Sequence, residues 1–592
     1  MSLQFITGNS GNGKTKYLFN RIVKEAKANP RDNYLVIVPE QFTMQTQRQL
    51  VDLSENKAIM NIDVLSFKRL AYRVFDELGI TNLTVLEETG KNLVLRKLAA
   101  QEADKLGVIG RNLNRIGYIS EVKSLLSELV QYNISPEELG RYIASGRLSD
   151  TLSDKLKDVL VLYEAFEKFM KDKYITAEEI LNVLSNVAEE SAILRNSVIA
   201  FDEFTGFTPI QNQLIKKLFV ISKKIYVTLT IDCREDIFKS RGMQELFDMP
   251  KRTVKSLTEM AAFYGIEVEE PIILDKNYRL AENEELSFME QQLFRKRRCS
   301  FKKAPKHIHI DCLRDPKQEL TKIARRINEL VRNENLRYRD IAIVTGDVNI
   351  YAGYVREIFD KYNIPYFIDA TQEILFHPFI EFIRSIPDIA AQNFSADAVF
   401  RFLRCGFSEL LDSEIDVLEN YVLACGVRGK SAWDKKWVRL PKHKAGYDLE
   451  LLNQSREYIM ELLKPVYQVF SDKKSTVKDY VLAIYKLIVL LDIPDKLAKK
   501  EQALLDAGDQ TASKEYGQIY KIVMQLFEKY VAVLGDECMD AEEFTQILDA
   551  GLDAADVAVI PPGYDTVTIG DIERTRLTNI KVMFFAGVND GI

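Results

Sequence analysis

A glycine-rich segment near the amino terminus has residue types and spacing that suit the binding of nucleotide phosphates. It fits the pattern G-x-x-x-x-G-K-[ST] and consists of Gly8, Asn9, Ser10, Gly11, Asn12, Gly13, Lys14 and Thr15. Glycines allow a tight turn in which successive backbone N–H groups point at phosphate oxygens. We expect Lys14 to reach the β- and γ-phosphates of ATP and the Thr15 hydroxyl to hold Mg²⁺. The alternative is a glycine-rich turn that matches by chance.

Two adjacent acids, Asp202 and Glu203, follow an apolar run at 198–201. ATP hydrolysis at such a loop needs a carboxylate at the end of a second strand, which helps to hold Mg²⁺ and polarises the attacking water. We predict that Asp202 binds Mg²⁺ together with Thr15 and that Glu203 is the general base. The alternative is a strand that ends in two solvated acids. The long separation from Lys14 predicts an inserted subdomain between the two motifs.

The residues after this acid pair resemble a helicase motif. In UvrD/Rep-like DNA helicases, Asp-Glu is followed by Pro and Gln at the spacing of Pro209 and Gln211. More specifically, the chain resembles the AddB family, the B subunits of bacterial AddAB helicase–nucleases that resect double-strand breaks. Further segments in the same order carry this resemblance: Val38–Thr43, Val64–Tyr72, Tyr338–Val344, Ile364–Asp369 with His377-Pro378, Leu418–Ala424 and Val567–Arg576.

The resemblance implies a motor in which several motifs are altered. Asn277-Tyr278-Arg279 resembles a motif whose arginine stabilises the charge of the transferred phosphate, so Arg279 is predicted to contact ATP. The alternative is a helix start on the surface. The strand at 224–232 lacks the glutamine of active motors, and 571–579 replaces their Thr-x-His-x-x-Lys-Gly-Leu-Glu. We therefore predict that ATP is bound and that any hydrolysis is slow and drives no strand translocation.

The resemblance also implies a DNA tunnel that reads a Chi-like sequence in the emerging single strand. The corresponding positions are Gln41, Thr43, Phe67, Arg69, Tyr72 and Phe207. Amide and guanidinium groups read base edges, while aromatic rings stack on unpaired bases. The alternative is that Phe67 and Tyr72 are core residues on a helix face beside Leu70.

For the whole protein, the resemblance implies an ATP-dependent helicase–nuclease heterodimer with an AddA-like partner, acting on duplex ends and single strands in break repair. The nuclease domain and an iron–sulfur cluster are expected only in the full-length protein, beyond Ile592. One alternative is an ATP-driven helicase active in its own right. Another is a P-loop ATPase that remodels protein and binds no DNA.

The order of strand-like and helix-like patterns along the chain predicts an α/β fold. We expect two RecA-like P-loop NTPase lobes, each with a mainly helical inserted subdomain, to position these residues. The first lobe is expected at 1–80 and 191–294, with its insertion at 81–190. A basic linker is expected at 295–306, although this run could instead contact DNA. The second lobe, expected to be truncated, covers 307–375 and 556–592, with its insertion at 376–555. Strands are predicted at 308–311, 341–344 and 366–369.

Composition and charge exclude several classes of protein. The 592 residues are 46% hydrophobic and 28% charged, which is typical of a globular protein and excludes disorder and coiled coils. A net charge of −7 excludes a polycation that coats nucleic acid, but not a local basic channel. No apolar run approaches the ~20 residues of a membrane span and no secretory signal is apparent, so a cytoplasmic protein without a membrane partner is predicted.

Cysteine and histidine usage predicts no metal centre beyond the Mg²⁺ site. The six cysteines contain no close pair, so neither a C-x-x-C site nor a disulfide framework is indicated. His307 and His309 share a strand spacing with Cys312 nearby, and a ligand pair is geometrically possible there. Because no second cluster completes such a site, we do not expect one.

Overall fold

The computed structural model describes the chain except for residues 82–84, 87, 109–117, 146–147, 172–173, 296–298, 370–371, 374–375, 441–446, 473, 508, 554–555, 558–564, 574, 576, 578 and 590–592. The chain forms two compact units. The first consists of 1–85, 125–141 and 170–312, and the second of 86–124, 142–169 and 313–592.

The amino-terminal half alternates strands and helices around a helical stretch. Its first elements are β1 (Ser2–Gly8), α1 (Lys14–Ala28), β2 (Tyr34–Ile37), α2 (Thr43–Leu53), β3 (Ile62–Leu65) and α3 (Phe67–Leu78). There follow β4 (Val85–Leu86), α4 (Glu88–Gln101), α5 (Tyr118–Gln131), α6 (Pro136–Ala144), α7 (Asp150–Met170), β5 (Ile175–Thr176) and α8 (Ile180–Val187). The last group is β6 (Val198–Phe201), α9 (Pro209–Ile221), β7 (Lys224–Thr230), α10 (Asp248–Phe263), β8 (Glu267–Val268), β9 (Ile272–Leu274) and α11 (Glu284–Gln292).

The first unit is built on a seven-stranded sheet with the order β3-β2-β6-β7-β1-β8, in which β9 also pairs with β1. Every pairing in it is parallel. Both faces are covered, as parallel sheets require. Phe5 packs in a core with α3, α8, α9 and α10, whereas the next residue, Ile6, packs in a second core with α1 and α2. The carboxyl ends of β1, β6 and β7 therefore meet at one edge of the sheet.

The second unit combines a small sheet with a large helical region. Besides α4 and most of α7, its elements are α12 (Pro316–Asn333), β10 (Ile341–Thr345), α13 (Val348–Lys361), β11 (Tyr366–Ile368), β12 (Gln372–Glu373), α14 (Pro378–Ala391), α15 (Ala396–Leu403), α16 (Asp412–Cys425), α17 (Lys430–Asp434), α18 (Leu449–Ser471), α19 (Val477–Leu490), α20 (Ile493–Asp506), α21 (Gln510–Leu534), α22 (Ala541–Asp553), β13 (Asp556–Val557), β14 (Val567–Asp571) and β15 (Val582–Phe585). Four strands form a parallel sheet in the order β11-β14-β10-β15. Helices α14–α22 enclose a separate core around Trp433, Tyr480 and Tyr530.

The predicted α/β class is confirmed, whereas one of the predicted strands is absent. Residues 308–311 form no strand: Ile310 is 94% exposed, and the preceding backbone N–H groups of Lys306 and His307 donate to the Glu285 carboxylate. Helix α8, which lies within the insertion predicted at 81–190, packs in the core of the first sheet, where Ile180 is buried. Helical spacing identifies an apolar face, but it does not say which surface that face covers.

None of the helices in the described part of the chain is long and apolar enough to cross a bilayer.

Candidate functional site

The glycine-rich segment forms the turn between β1 and α1. Gly11 and Gly13 have φ values of 86° and 77°, in the left-handed region that favours glycine. A Cβ atom on Gly8 would lie 2.5 Å from the carbonyl oxygen of Leu274, and one on Gly11 would lie 2.8 Å from Oδ1 of Asn277. The glycines are therefore required both by the backbone conformation and by the close approach of neighbouring segments.

The Lys14 ammonium group folds over this turn. Its Nζ donates hydrogen bonds to the carbonyl oxygens of Gly8, at 3.1 Å, and Asn9, at 3.0 Å. Burial lowers the pKa of Lys14, while the carboxylates of Glu203 and Asp202 act in the opposite direction. The positive charge is thus held in a partly desolvated place, where its attraction for a phosphate is stronger than in water.

The acid pair meets Thr15 at the carboxyl end of β6. The Thr15 hydroxyl lies 3.3 Å from Oδ1 of Asp202 and 3.3 Å from Oε1 of Glu203. Asp202 is only 1% exposed, and its Oδ1 accepts a hydrogen bond of 2.5 Å from the Thr228 hydroxyl. A hydroxyl and carboxylate oxygens are hard donors of the kind that Mg²⁺ prefers, so these residues fit the ion.

Glu203 has a backbone conformation that is unusual for its type. Its φ is 66°, although it carries a side chain, and the residue is exposed. Such a conformation costs of the order of 1 kcal/mol and persists mainly where the surrounding structure enforces it, often at functional sites. The backbone just before Glu203 is fixed by the sheet: the N–H of Asp202 donates to the carbonyl oxygen of Ile37 at 3.1 Å, which continues the pairing of β6 with β2.

The Asn277-Tyr278-Arg279 segment packs directly on the glycine turn. The backbone N–H groups of Tyr278 and Arg279 donate to the carbonyl oxygen of Gly11, at 3.0 and 3.3 Å, and the Asn277 amide donates to that of Ser10, at 2.9 Å. The segment lies before α11, so it is not the start of that helix. The backbone of Arg279 is thus anchored on the glycine turn, and its positive charge adds to the effect of burial in lowering the pKa of Lys14.

Two residues that the sequence did not single out also belong to the site. Tyr278 is 66% exposed, and its ring lies 3.5 Å from where a Cβ of Gly13 would be, which offers an aromatic face beside the loop. Glu290 on α11 accepts a hydrogen bond from the Asn9 amide at 2.9 Å. The position of Tyr278 within the Asn277-Tyr278-Arg279 motif was a usable signal in the sequence, whereas nothing in the sequence pointed to Glu290.

The residues predicted to contact DNA lie in the same unit, some exposed and some buried. Gln41 and Arg69 are exposed, and Tyr72 is 40% exposed. The Arg69 Nε lies 3.3 Å from a carboxylate oxygen of Glu40. Thr43 is buried and its hydroxyl donates to the carbonyl oxygen of Glu40 at 3.1 Å.

The two phenylalanines of this set belong to an aromatic cluster behind the acid pair. Phe67 is 8% exposed, and its ring centroid lies 5.8 Å from that of Phe201, 5.6 Å from that of Phe204 and 6.4 Å from that of Phe207. Phe67 is therefore a core residue, as the alternative to a DNA contact predicted. Phe207 is partly buried in the same cluster.

The structure gives no sign of a metal cluster around His307 and His309. Within the part of the chain that the structure describes, no three His, Cys, Asp or Glu side chains are grouped so as to hold a metal ion. Part of the basic run beside them, 296–298, lies outside the described residues, whereas Arg295 is folded inward and donates to Asp232 at 3.0 Å.

Comparison with known proteins gives this geometry a context. Residues 5–290 match the family model described as ADDB, N-terminal. The whole chain aligns with the B subunit of the ATP-dependent helicase/deoxyribonuclease of Lachnoclostridium phytofermentans, at 39% identity, and with that of Clostridium novyi, at 32% identity. In both cases the alignment covers 100% of this chain and 52% of the relative, so the chain spans about half the length of the curated relatives it matches. The chain belongs to the AddB family, and the part of it that the family model describes is the one that carries the glycine turn and the acid pair.

Proposed function

We propose that the first unit is a RecA-like lobe that binds Mg·ATP at the glycine turn. One observation carries the proposal: three distant parts of the sequence meet at the glycine turn, at the carboxyl end of β1. The Thr15 hydroxyl, next to Lys14, lies 3.3 Å from Oδ1 of Asp202, and the backbone N–H of Arg279 donates to the carbonyl oxygen of Gly11 at 3.3 Å. Ligands bind at this edge of parallel α/β sheets. The amino-terminal end of α1 adds a partial positive charge for phosphate.

Each residue then has a definite role. Lys14 exchanges the carbonyl oxygens of Gly8 and Asn9 for the β- and γ-phosphate oxygens, and Arg279 neutralises charge at the γ-phosphate. Thr15 and Asp202 hold Mg²⁺, which supplies further neutralisation of phosphate charge when bound. Glu203 accepts a proton from the attacking water.

Nucleotide binding is tested with a fluorescent ATP analogue and Mg²⁺ on the 592-residue chain. Lys14→Ala is expected to weaken binding at least about thirtyfold, since losing one partner of a buried charged contact costs about 2 kcal/mol or more. Lys16→Ala is the matched control, because Lys16 is exposed on the same helix. Equal affinity of wild type and Lys14→Ala would remove the site assignment.

At the level of the whole protein, we propose that this chain is part of one subunit of a heterodimeric ATP-dependent helicase–nuclease, which processes double-strand breaks with an AddA-like partner. The name of the relatives, which describes the B subunit of an ATP-dependent helicase/deoxyribonuclease, supports this proposal. We propose that the motor in this chain is degenerate, because residues 224–232, which contain β7, include no glutamine. Retention of both Asp202 and Glu203 favours the alternative, an active helicase. ATP-driven unwinding of duplex DNA by the isolated chain would show that it is an active helicase.

We further propose that the first unit guides the single strand and reads a Chi-like sequence through Gln41, Arg69 and Tyr72. Their exposed amide, guanidinium and aromatic groups suit base edges and base stacking. The carboxylate of Glu40 accepts hydrogen bonds from both Arg69 and Ser66, so the guanidinium is held in place before a strand arrives. The buried residues Thr43 and Phe67 and the partly buried Phe207 then shape this surface and do not contact bases.

Sequence reading is tested by measuring the binding of a pool of single-stranded oligonucleotides to wild type, Arg69→Ala and Tyr72→Ala. Loss of preference among sequences is expected in Arg69→Ala, and a more uniform loss of affinity in Tyr72→Ala, because stacking tolerates every base. Arg31→Ala is the control, since Arg31 is exposed and precedes β2 at the opposite edge of the sheet. An unchanged preference in Arg69→Ala would show that this contact carries no specificity.

A further inference from the structure

The side chain of Asn9 in the glycine turn is held from both ends. Its Oδ1 accepts a hydrogen bond from the backbone N–H of Cys233 at 2.9 Å, and its Nδ2 donates to Oε1 of Glu290 at 2.9 Å. Asn9 is 5% exposed, so these two contacts fix the orientation of its amide. One partner follows β7 and the other lies on α11, far away in the sequence.

Glu290 belongs to a group of largely buried charged side chains that also includes Arg295 and Asp232. The Arg295 guanidinium lies 4.0 Å from Oε1 of Glu290 and donates to Oδ2 of Asp232 at 3.0 Å. Asp232 also accepts two side-chain hydrogen bonds from Arg234, at 2.8 and 2.6 Å. The side chains of Glu290, Arg295 and Asp232 are only 16%, 12% and 1% exposed.

Asp232 stays ionised in this setting. Burial alone would raise its pKa, but the hydrogen bonds from Arg234 and Arg295 outweigh that effect and hold the pKa well below the usual range. A buried carboxylate that binds two guanidinium groups fixes their positions, because leaving any of these charges unpaired is costly. The Arg295 side chain is further confined by the face of the Phe247 ring, 4.7 Å away.

We infer that Glu290, oriented by Arg295 and Asp232, is a positioning residue for the nucleotide site that acts through Asn9. The inference rests on the proposed binding of ATP at the glycine turn. The connection to phosphate is short, because the carbonyl oxygen of Asn9 is one of the two acceptors of Lys14 Nζ. A change in the position of Asn9 therefore moves the backbone that cradles both the lysine and the phosphates.

The experiment measures the affinity of the full chain for a fluorescent ATP analogue with Mg²⁺. Glu290→Ala is expected to weaken binding about tenfold, because a hydrogen bond to a charged, largely buried group is lost. Glu290→Gln keeps an acceptor for Asn9 and is expected to stay within about threefold of wild type. Glu284→Ala is the matched control, since Glu284 lies on the same helix, is exposed and pairs with Lys303.

A double-mutant cycle separates positioning from a general structural role. If Glu290 acts through Asn9, Glu290→Ala has little further effect on affinity in an Asn9→Ala background. Additive losses in the cycle, or a tenfold loss also in Glu284→Ala, would overturn the inference. So would wild-type affinity in Glu290→Ala.

The same measurements distinguish failure of this inference from failure of the proposed function. If wild type binds the analogue and Lys14→Ala does not, the site stands whatever Glu290→Ala does. If wild type and Lys14→Ala bind equally, the nucleotide site itself is wrong and the inference falls with it. Thermal unfolding of each variant verifies that the compared proteins are folded.

Discussion

Gly11 and Gly79 have similar backbone conformations and very different surroundings. Their φ values are 86° and 68°, yet a Cβ on Gly11 would lie 2.8 Å from Asn277, whereas one on Gly79 would meet nothing within 4 Å. The conformational cost of an alanine is therefore similar at both positions, about 1–2 kcal/mol. Only at Gly11 would it also displace a segment of the candidate site.

The first prediction follows from this pair. Gly11→Ala is expected to abolish binding of the ATP analogue, while Gly79→Ala lowers the free energy of unfolding by about 1 kcal/mol and leaves affinity unchanged. Both quantities are obtained by fluorescence titration and urea denaturation. Normal affinity in Gly11→Ala would mean that the contact with Asn277 is not needed for binding.

A second prediction concerns His377, the residue before α14. Its imidazole is 3% exposed, packs against the Tyr516 ring with 4.4 Å between ring centroids, and accepts a hydrogen bond from the backbone N–H of Phe379. Burial lowers the pKa of His377 to about 4, so the folded protein keeps the ring neutral while the unfolded chain takes up a proton near pH 6.5. The stabilisation is complete above pH 6.5 and is lost progressively as the pH falls to about 4.

The loss is expected to reach about 3 kcal/mol, from 1.36 kcal/mol per pKa unit. Urea denaturation at several pH values between 7 and 4, monitored in the second unit, measures it against His377→Asn, which keeps an acceptor for the Phe379 N–H but does not titrate. If the difference in unfolding free energy between the two proteins is independent of pH, His377 does not stay neutral in the folded state.

At the scale of elements, the start of α9 connects the acid pair to the aromatic cluster. Thr208 and Gln211 form a capping box: the Thr208 hydroxyl accepts from the Gln211 N–H at 3.4 Å, and the Gln211 side chain accepts from the Thr208 N–H at 2.9 Å. The Pro-x-Gln spacing that marked a helicase-like motif in the sequence is thus also a helix start. Phe207 immediately precedes it and packs against Phe201 at 5.2 Å between ring centroids.

The third prediction tests this cap. Thr208→Ala is expected to lower the free energy of unfolding by about 1 kcal/mol, because two backbone N–H groups at the helix start depend on the box. Thr208→Ser keeps the hydroxyl and is expected to match wild type. The unfolding free energies of the three proteins are measured by urea denaturation, monitored in the first unit. Equal stability of the alanine and serine variants would mean that the Thr208 hydroxyl does not cap α9.

Elements also show where reading the sequence was insufficient. The alternation of Ile308 and Ile310 with polar residues favoured a strand, yet the neighbouring N–H groups donate to Glu285, a partner distant in sequence. Helix α8 has the same kind of apolar face as its neighbours, but its position in the first core depends on α3 and α9. Local periodicity determines the type of an element, whereas its partner is set by tertiary packing.

At the scale of the molecule, each of the two units has apolar cores of its own. The glycine turn, the acid pair and Arg279 all lie in the first unit. A ligand that binds only the folded form stabilises the part of the protein that must be folded to bind it.

The fourth prediction is that Mg·ATP protects the first unit selectively. At a ligand concentration of 100 times Kd, its unfolding free energy is expected to rise by about 2.7 kcal/mol. Hydrogen exchange read by mass spectrometry should slow in β1, α1 and β6 and stay unchanged in α18 and α19. Lys14→Ala should remove the effect, and uniform protection of both units would contradict it.

The sequence by itself located the residues of the candidate nucleotide site in the first unit. Spacing alone identified the glycine turn, Lys14 and Thr15, and an apolar run that ends in Asp202 and Glu203 indicated the second half of the site, because such motifs are local and their backbone requirements are written in adjacent residues. Only the tertiary structure decided that Asn277–Arg279 packs on Gly11, that Phe67 is buried, and that Glu290 holds Asn9. These contacts join residues hundreds of positions apart, and whether a side chain is buried or exposed depends on which other element covers it.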